Sequence, residues 1–235
     1  MRKVLLIFVG WILLGLTVSG QVKDNLWTRL TLQTKLNDKW DAALEFQHRR
    51  QHPESDPLFS KPLMYSIRPW IHYKVNPHFS LSVSPLAWYQ QHPVLLTAHD
   101  LSKDPMQELR STLAISYQTG LTEKMSFQSR VGVEYRNFST GQQVLRTRLR
   151  TGLQYAFSNN VSLNAYNEMM VNPVGVAPGH FFDQDRQAIS GVLKLNQAVT
   201  LEAGYMHVYR KLPAYDNVMQ ENNYFVQFNI SLHAR

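Results

Sequence analysis

Arg146, Arg148 and Arg150 stand at alternate positions of one extended run, and inward-reading glutamates recur on other runs along the chain. A guanidinium is planar, forked and permanently charged. It either grips a carboxylate with two N–H donors or, left unpaired, holds a fixed positive charge toward an anion. Two uses follow. Paired across neighbouring strands, Arg and Glu brace a wall; in excess inside a narrow passage, Arg favours anions and disfavours cations. The candidates are Arg29, Arg49, Arg68, Arg110, Arg130, Arg136, Arg146, Arg148, Arg150, Arg186 and Arg210, with Asp41, Glu45, Glu108, Glu134, Glu168 and Glu202. Among them, Arg68, Arg110, Arg130, Arg136, Arg146, Arg148, Arg150 and Arg186 with Glu45, Glu108, Glu134, Glu168 and Glu202 form the expected lumen network.

Catalytic chemistry has thinner support. A lipid hydrolase at a membrane rim needs a Ser–His pair and an orienting carboxylate or amide. His48, His72, His180, His207 and His233 are available, and Ser190 is a possible nucleophile. His207 alternates with Tyr205 and Tyr209, whereas Ser190 falls on the opposite face of the preceding run, so the two make poor partners. His48 and His207 read instead as interfacial side chains. No spacing suggests a zinc site and no glycine-rich loop suggests phosphate, so neither catalytic residues, metal nor cofactor are expected.

Whether the charged residues can meet depends on the elements that carry them. Side chains in a strand alternate between faces, so a period of two separates one face from the other. In the run 26–36, Leu26, Leu30, Leu32 and Leu36 share a face, while Arg29, Gln33 and Lys35 lie opposite. The split recurs in about eleven runs: 26–36, 40–50, 64–75, 79–90, 107–118, 125–136, 144–157, 161–171, 185–195, 199–210 and 222–233. These exceed the ~5–6 residues of a globular strand and match the ~9–11 of a tilted membrane-spanning one. One side of each, such as Leu145, Leu149, Leu153 and Tyr155, or Leu81, Val83, Ala87 and Tyr89, or Tyr224, Val226, Phe228, Ile230 and Leu232, is read as free of charge. A midplane Arg or Lys facing lipid would cost ~2–4 kcal/mol, so the charged side is read as a lumen. A soluble sandwich would carry its charge on the solvent side instead.

Connections alternate between tight turns at 37–39, 76–78, 158–160 and 196–198 and longer links at 51–63, 91–106, 172–184 and 211–221. Tyr73, Phe79, Tyr117, Tyr155 and Phe157 lie beside the turns, and Tyr89, Tyr135, Tyr205 and Tyr209 near the long links, as two interfacial girdles would. The expected fold is all-β: a transmembrane antiparallel up-and-down β-barrel of about 10–12 strands, with periplasmic turns and extracellular loops. Bacterial single-chain barrels have even strand numbers. With eleven runs and periplasmic short turns the first strand would start outside, so either one pairing is misread or the N-terminal segment runs unusually.

The chain has 235 residues, 44% hydrophobic and 17% charged, enough for one large all-β domain. Its mean hydropathy of −0.30 is low for a helical membrane protein. Arg2 and Lys3 precede an apolar run from Val4 to Val18, and Ser19-Gly20 follow, so residues 1–20 read as a cleavable secretory signal and 21–235 as the barrel. The chain has no cysteine, hence no disulfide and no lipid-bearing N-terminal cysteine. The net charge of +7 is spread one or two arginines per strand without a basic block, which argues against nucleic acid.

Tyr166-Asn167-Glu168, then Phe181-Phe182-Asp183-Gln184-Asp185-Arg186, then Glu202-Ala203-Gly204-Tyr205 occur in order, with Arg146-Thr147-Arg148 before them. This resembles the Gram-negative outer-membrane barrel family catalogued as domain of unknown function 2490, over residues 22–233. Asp185 stands where that family usually has Asn, and the chain ends His233-Ala234-Arg235 rather than in an aromatic. The resemblance implies a barrel in the bacterial outer membrane and carries no established activity. A weaker likeness, in composition and by fold analogy, is to small oligosaccharide-specific porins with arginine-lined lumens. The expected partners are outer-membrane lipid, the barrel assembly machinery and small anionic solutes, for a monomer that is structural or passes such solutes. A membrane-embedded lipid-modifying enzyme is the alternative.

Overall fold

Strand-forming residues at period two dictate long strands, and a computed structural model describes them over residues 22–52, 57–211 and 218–232. The expected signal segment, His233 and the chain end lie outside these described residues. The strands are β1 (Val22–Lys35), β2 (Trp40–Gln51), β3 (Lys61–Lys74), β4 (Phe79–Gln91), β5 (Met106–Gly120), β6 (Met125–Phe138), β7 (Gln143–Ala156), β8 (Val161–Val174), β9 (Phe182–Lys194), β10 (Val199–Lys211) and β11 (Val218–Ser231). Each pairs with the next, and β1 closes on β11, leaving no free edge.

The closed, mostly antiparallel barrel expected from the sequence is present, and its odd strand count is resolved at the closing seam. β1 and β11 pair parallel, from Val22↔Gln220 to Gln33↔Ser231, whereas the other neighbours are antiparallel. An odd strand number forces this: β1 starts at the long-loop end, as β11 does. Parallel pairing is slightly weaker per residue. Side chains reinforce this seam on both faces: Asn25 Nδ2 donates to Glu221 at 3.0 Å inside, and Asn222 Nδ2 to Asp24 at 3.1 Å outside.

Proline accompanies three of the other irregularities. Pro69 lies within the register shift of β3 on β4, Pro85 within that of β4 on β5, and Pro173 within that of β7 on β8. Proline has no N–H for the ladder, so a strand can hold it only at an edge or a bulge. The Pro85 bulge resets the alternation of β4. Ser82 and Ser84 face inward before it, and Ala87 and Tyr89, expected outward, are buried inward after it.

Outside, Leu113, Ile115, Val131, Leu149, Ile189 and Phe228 are exposed. Aromatic contacts ring the short-turn end, with Phe79–Tyr117 at 4.9 Å, Tyr155–Phe157 at 5.0 Å and Trp40–Tyr73 at 4.6 Å. Asp185 departs from the charge-free outer face: it alternates outward on β9, where Asn167 Nδ2 donates to it at 2.7 Å. Inside, apolar packing is confined to small patches, the larger being Trp27, Ala188, Met206, Val208 and Phe225. Most of the interior is polar.

Candidate functional site

In the long-loop half of the lumen, cross-strand register brings opposite charges face to face. Glu134 lies opposite Arg146, Glu168 opposite both Arg150 and Arg186, and Glu45 opposite Arg68. Directly opposed side chains are close enough to interact, so register alone makes these pairs. Arg136 forks onto Glu108 at 2.8 and 3.0 Å, and Arg110 Nε reaches the same carboxylate at 2.7 Å. Arg110 continues to Glu134 at 3.5 Å, and Glu134 takes both Arg146 Nε at 2.8 Å and Arg148 at 2.6 Å. Arg148 also donates to Glu168 at 2.7 Å, which holds Arg150 and Arg186, each at 3.2 Å. The result is one continuous chain of charge from β5 to β9.

These groups are deeply buried, with Glu108 1% and Glu134 0% exposed. A carboxylate so buried is tolerated only because several guanidiniums satisfy its lone pairs at once. Separate ties flank the chain: Arg29 and Arg68 hold Glu45 at 3.6 and 3.8 Å, and Arg210 holds Glu221 at 3.2 Å. Tyr89, brought inward by its bulge, accepts from Arg68 and lies 3.9 Å beneath Arg110. The β4–β5 connection reaches back over the mouth, where Gln51 of β2 donates to Pro93 O at 2.8 Å and accepts from Leu95 N–H at 3.0 Å.

The short-turn half differs. A cavity of about 690 Å³ opens there, lined mainly by uncharged polar groups such as Ser80, Ser116, Gln118, Gln128 and Asn164. It shares Gln33, His72, Arg130, Arg150 and Tyr166 with a central cavity of about 260 Å³ beneath the network. Tyr166 faces Gly152 across the β7–β8 seam, where an added Cβ would meet Ala165 O at 2.7 Å and Tyr166 Cβ at 2.8 Å, so glycine permits this close approach. His72 Nδ1 bonds Ser82 Oγ at 2.9 Å, with Asp41 opposite His72 in register. Backbone N–H groups of a strand are committed to the ladder, so the wall offers this pair no ready oxyanion cradle.

Two expected network members stand apart. Glu202 accepts from Ser190 Oγ at 2.6 Å, and Arg130 has no carboxylate within ion-pair distance among the described residues. Asp183, which holds Arg146 at 2.9 Å, and Glu221 escaped the sequence reading because their strands were started too late, at 185 and 222. Tyr89 escaped through the bulge, for which Pro85 was the available signal. Among the described residues, no three His, Asp or Glu are grouped to hold a metal ion.

A comparison with curated proteins yields no match. Among solved structures the fold is similar to "NanC porin structure in rhombohedral crystal form", with a TM-score of 0.51 and 9% identity over 88% of this chain and 97% of that one. Such identity speaks to the fold alone. The model of the family described as "Protein of unknown function (DUF2490)" matches residues 24–219, and the chain belongs to that family.

Proposed function

We propose that the protein is a monomeric bacterial outer-membrane barrel that passes small anionic solutes through a narrow, porin-like lumen braced by its Arg/Glu network. One observation carries this reading: nine arginines and only two carboxylates, Glu45 and Glu168, line the central cavity. Low-dielectric walls concentrate that excess, so the passage attracts anions and repels cations. The apolar outer face and aromatic ring fit lipid, and the long loops, with the start of β1, then lie outside the cell. The similarity to a porin barrel supports the same architecture. The rival, a lipid-modifying enzyme at the rim, has less support, since Ser190 is engaged by Glu202 inside while His207 projects outward.

Single-channel recording of the refolded mature chain in a planar bilayer under a salt gradient tests the proposal. Small anion-selective steps are expected. A folded, heat-modifiable barrel that stays silent would reduce the network to bracing and overturn passage.

A further inference from the structure

We propose that Arg130 and Arg150 form an oxyanion subsite at the junction of the short-turn vestibule and the central cavity, taking a carboxylate or phosphate group of a water-soluble solute. The inference rests on the anion-passage reading and names the point at which the anion is held.

Register carries the argument. Arg130 of β6 lies opposite Arg150 on one seam and opposite Ser116 on the other. Like charges directly opposed across a ladder are destabilising, and such a pair calls for an acid between its members. Arg110 and Arg136 are likewise opposed, yet Glu108 bonds both. Arg150 draws on Glu168 at 3.2 Å, a carboxylate already shared with Arg148 and Arg186. Among the described residues Arg130 has no carboxylate within ion-pair distance, and the ring of Trp70 lies 5.1 Å from its guanidinium carbon. That guanidinium stands without an ion pair where two cavities join.

The surroundings suit an oxyanion more than a halide. Two guanidiniums supply forked donors matched to carboxylate or phosphate geometry. Arg150 is braced against Tyr166, 4.5 Å from its ring, so one side of the pair is already positioned. Ser116, Ser129, Gln128 and Asn164 line the approach, offering hydrogen bonds to the remainder of a hydrated solute. The vestibule opens among the short turns, beside Asn76–His78, so the site is reached from water.

Phosphorus-31 line broadening of inorganic phosphate tests the subsite, using the folded barrel in a phosphate-free detergent at constant ionic strength set with chloride. Saturable broadening is expected for the native chain. Arg130→Gln should weaken it at least tenfold while keeping heat-modifiable mobility, and Arg130→Lys should weaken it less. Equal broadening by native and Arg130→Gln barrels, or none by the native one, would overturn the subsite. Because no current is measured, the two proposals can fail separately. A silent barrel that binds phosphate through Arg130 keeps the subsite and loses passage; an anion-selective barrel without such binding keeps passage and loses the subsite.

Discussion

The two halves of this lumen have the same walls and opposite fillings. Toward the long loops, guanidiniums and carboxylates fill the interior and interlock from Glu108 to Arg186, almost wholly buried. Toward the short turns, serines, glutamines and asparagines leave a cavity of about 690 Å³. Side-chain length is part of the reason, since an Arg reaches across the lumen and a Ser does not. Charge is the other part. A neutral amide exchanges water for protein with little change in free energy, so it can stay wet. A buried carboxylate must be met by charge on several sides, so each Glu gathers arginines and closes the space around itself.

This contrast predicts very unequal tolerance. Glu134→Gln should produce the largest loss, because Arg110, Arg146 and Arg148 all reach that carboxylate. Removing one partner of a buried ion pair costs about 3–5 kcal/mol. The variant should unfold at clearly lower urea in a heat-modifiability titration. A shift under about 1 kcal/mol would mean that water enters the long-loop half, and the contrast between halves would collapse. The same geometry shows why Arg148 is a poor place to probe selectivity. Arg148→Glu would set a third carboxylate between Glu134 and Glu168, whereas Arg130 can change sign without removing an ion pair.

Much of this was legible in the alternation. Arg146, Arg148 and Arg150 had to share a face, and their inward side followed from Leu145, Leu149 and Leu153 on the alternate positions. Their partners were not legible, since a glutamate on another strand meets an arginine only once register is known. A shift by one residue turns every side chain to the other face. Pro85 produced such a change within β4, and Tyr89 moved from the expected outer girdle to the lumen. Register also distinguishes Arg130 from its neighbours: in sequence it is one more inward arginine, and only Ser116 and Arg150 opposite it reveal the missing acid. The eleven runs matched the eleven strands, but the parallel seam lay beyond periodicity, which does not say where a strand begins.

A smaller effect is expected in the vestibule. Gln128 Nε2 donates to Gln154 at 3.1 Å, and Gln154 Nε2 donates to Ser162 at 3.0 Å. Gln128→Ala removes one neutral bond beside a water-accessible cavity, where solvent replaces the lost partner, so the cost should be about 1 kcal/mol or less. The same urea titration checks it. A loss comparable to Glu134→Gln would make the vestibule as tightly coupled as the network.

The smallest effect belongs to the mouth, where one carboxylate ties the β4–β5 connection beyond its bonds to Gln51. Asp100 Oδ2 accepts from the N–H groups of Leu96 at 3.0 Å and Thr97 at 2.7 Å, and Oδ1 takes Lys103 Nζ at 2.6 Å. The Lys103 bond first, then the Thr97 amide, hold the Asp100 carboxyl well below the usual carboxylate range. A folded-state pKa lowered in this way contributes order that is complete above the unfolded value of about 3.9 and is lost as pH falls through the folded one. Amide protection at Leu96 and Thr97 should therefore be constant from neutral pH to about 4 and fall only in stronger acid. Asp100→Asn should remove that pH dependence and raise tryptic cleavage after Lys103 at neutral pH, with the urea midpoint of the barrel unchanged. If the midpoint fell too, the mouth would belong to the same cooperative unit as the charged half, because a loop held only by local bonds opens without unfolding the strands beneath it.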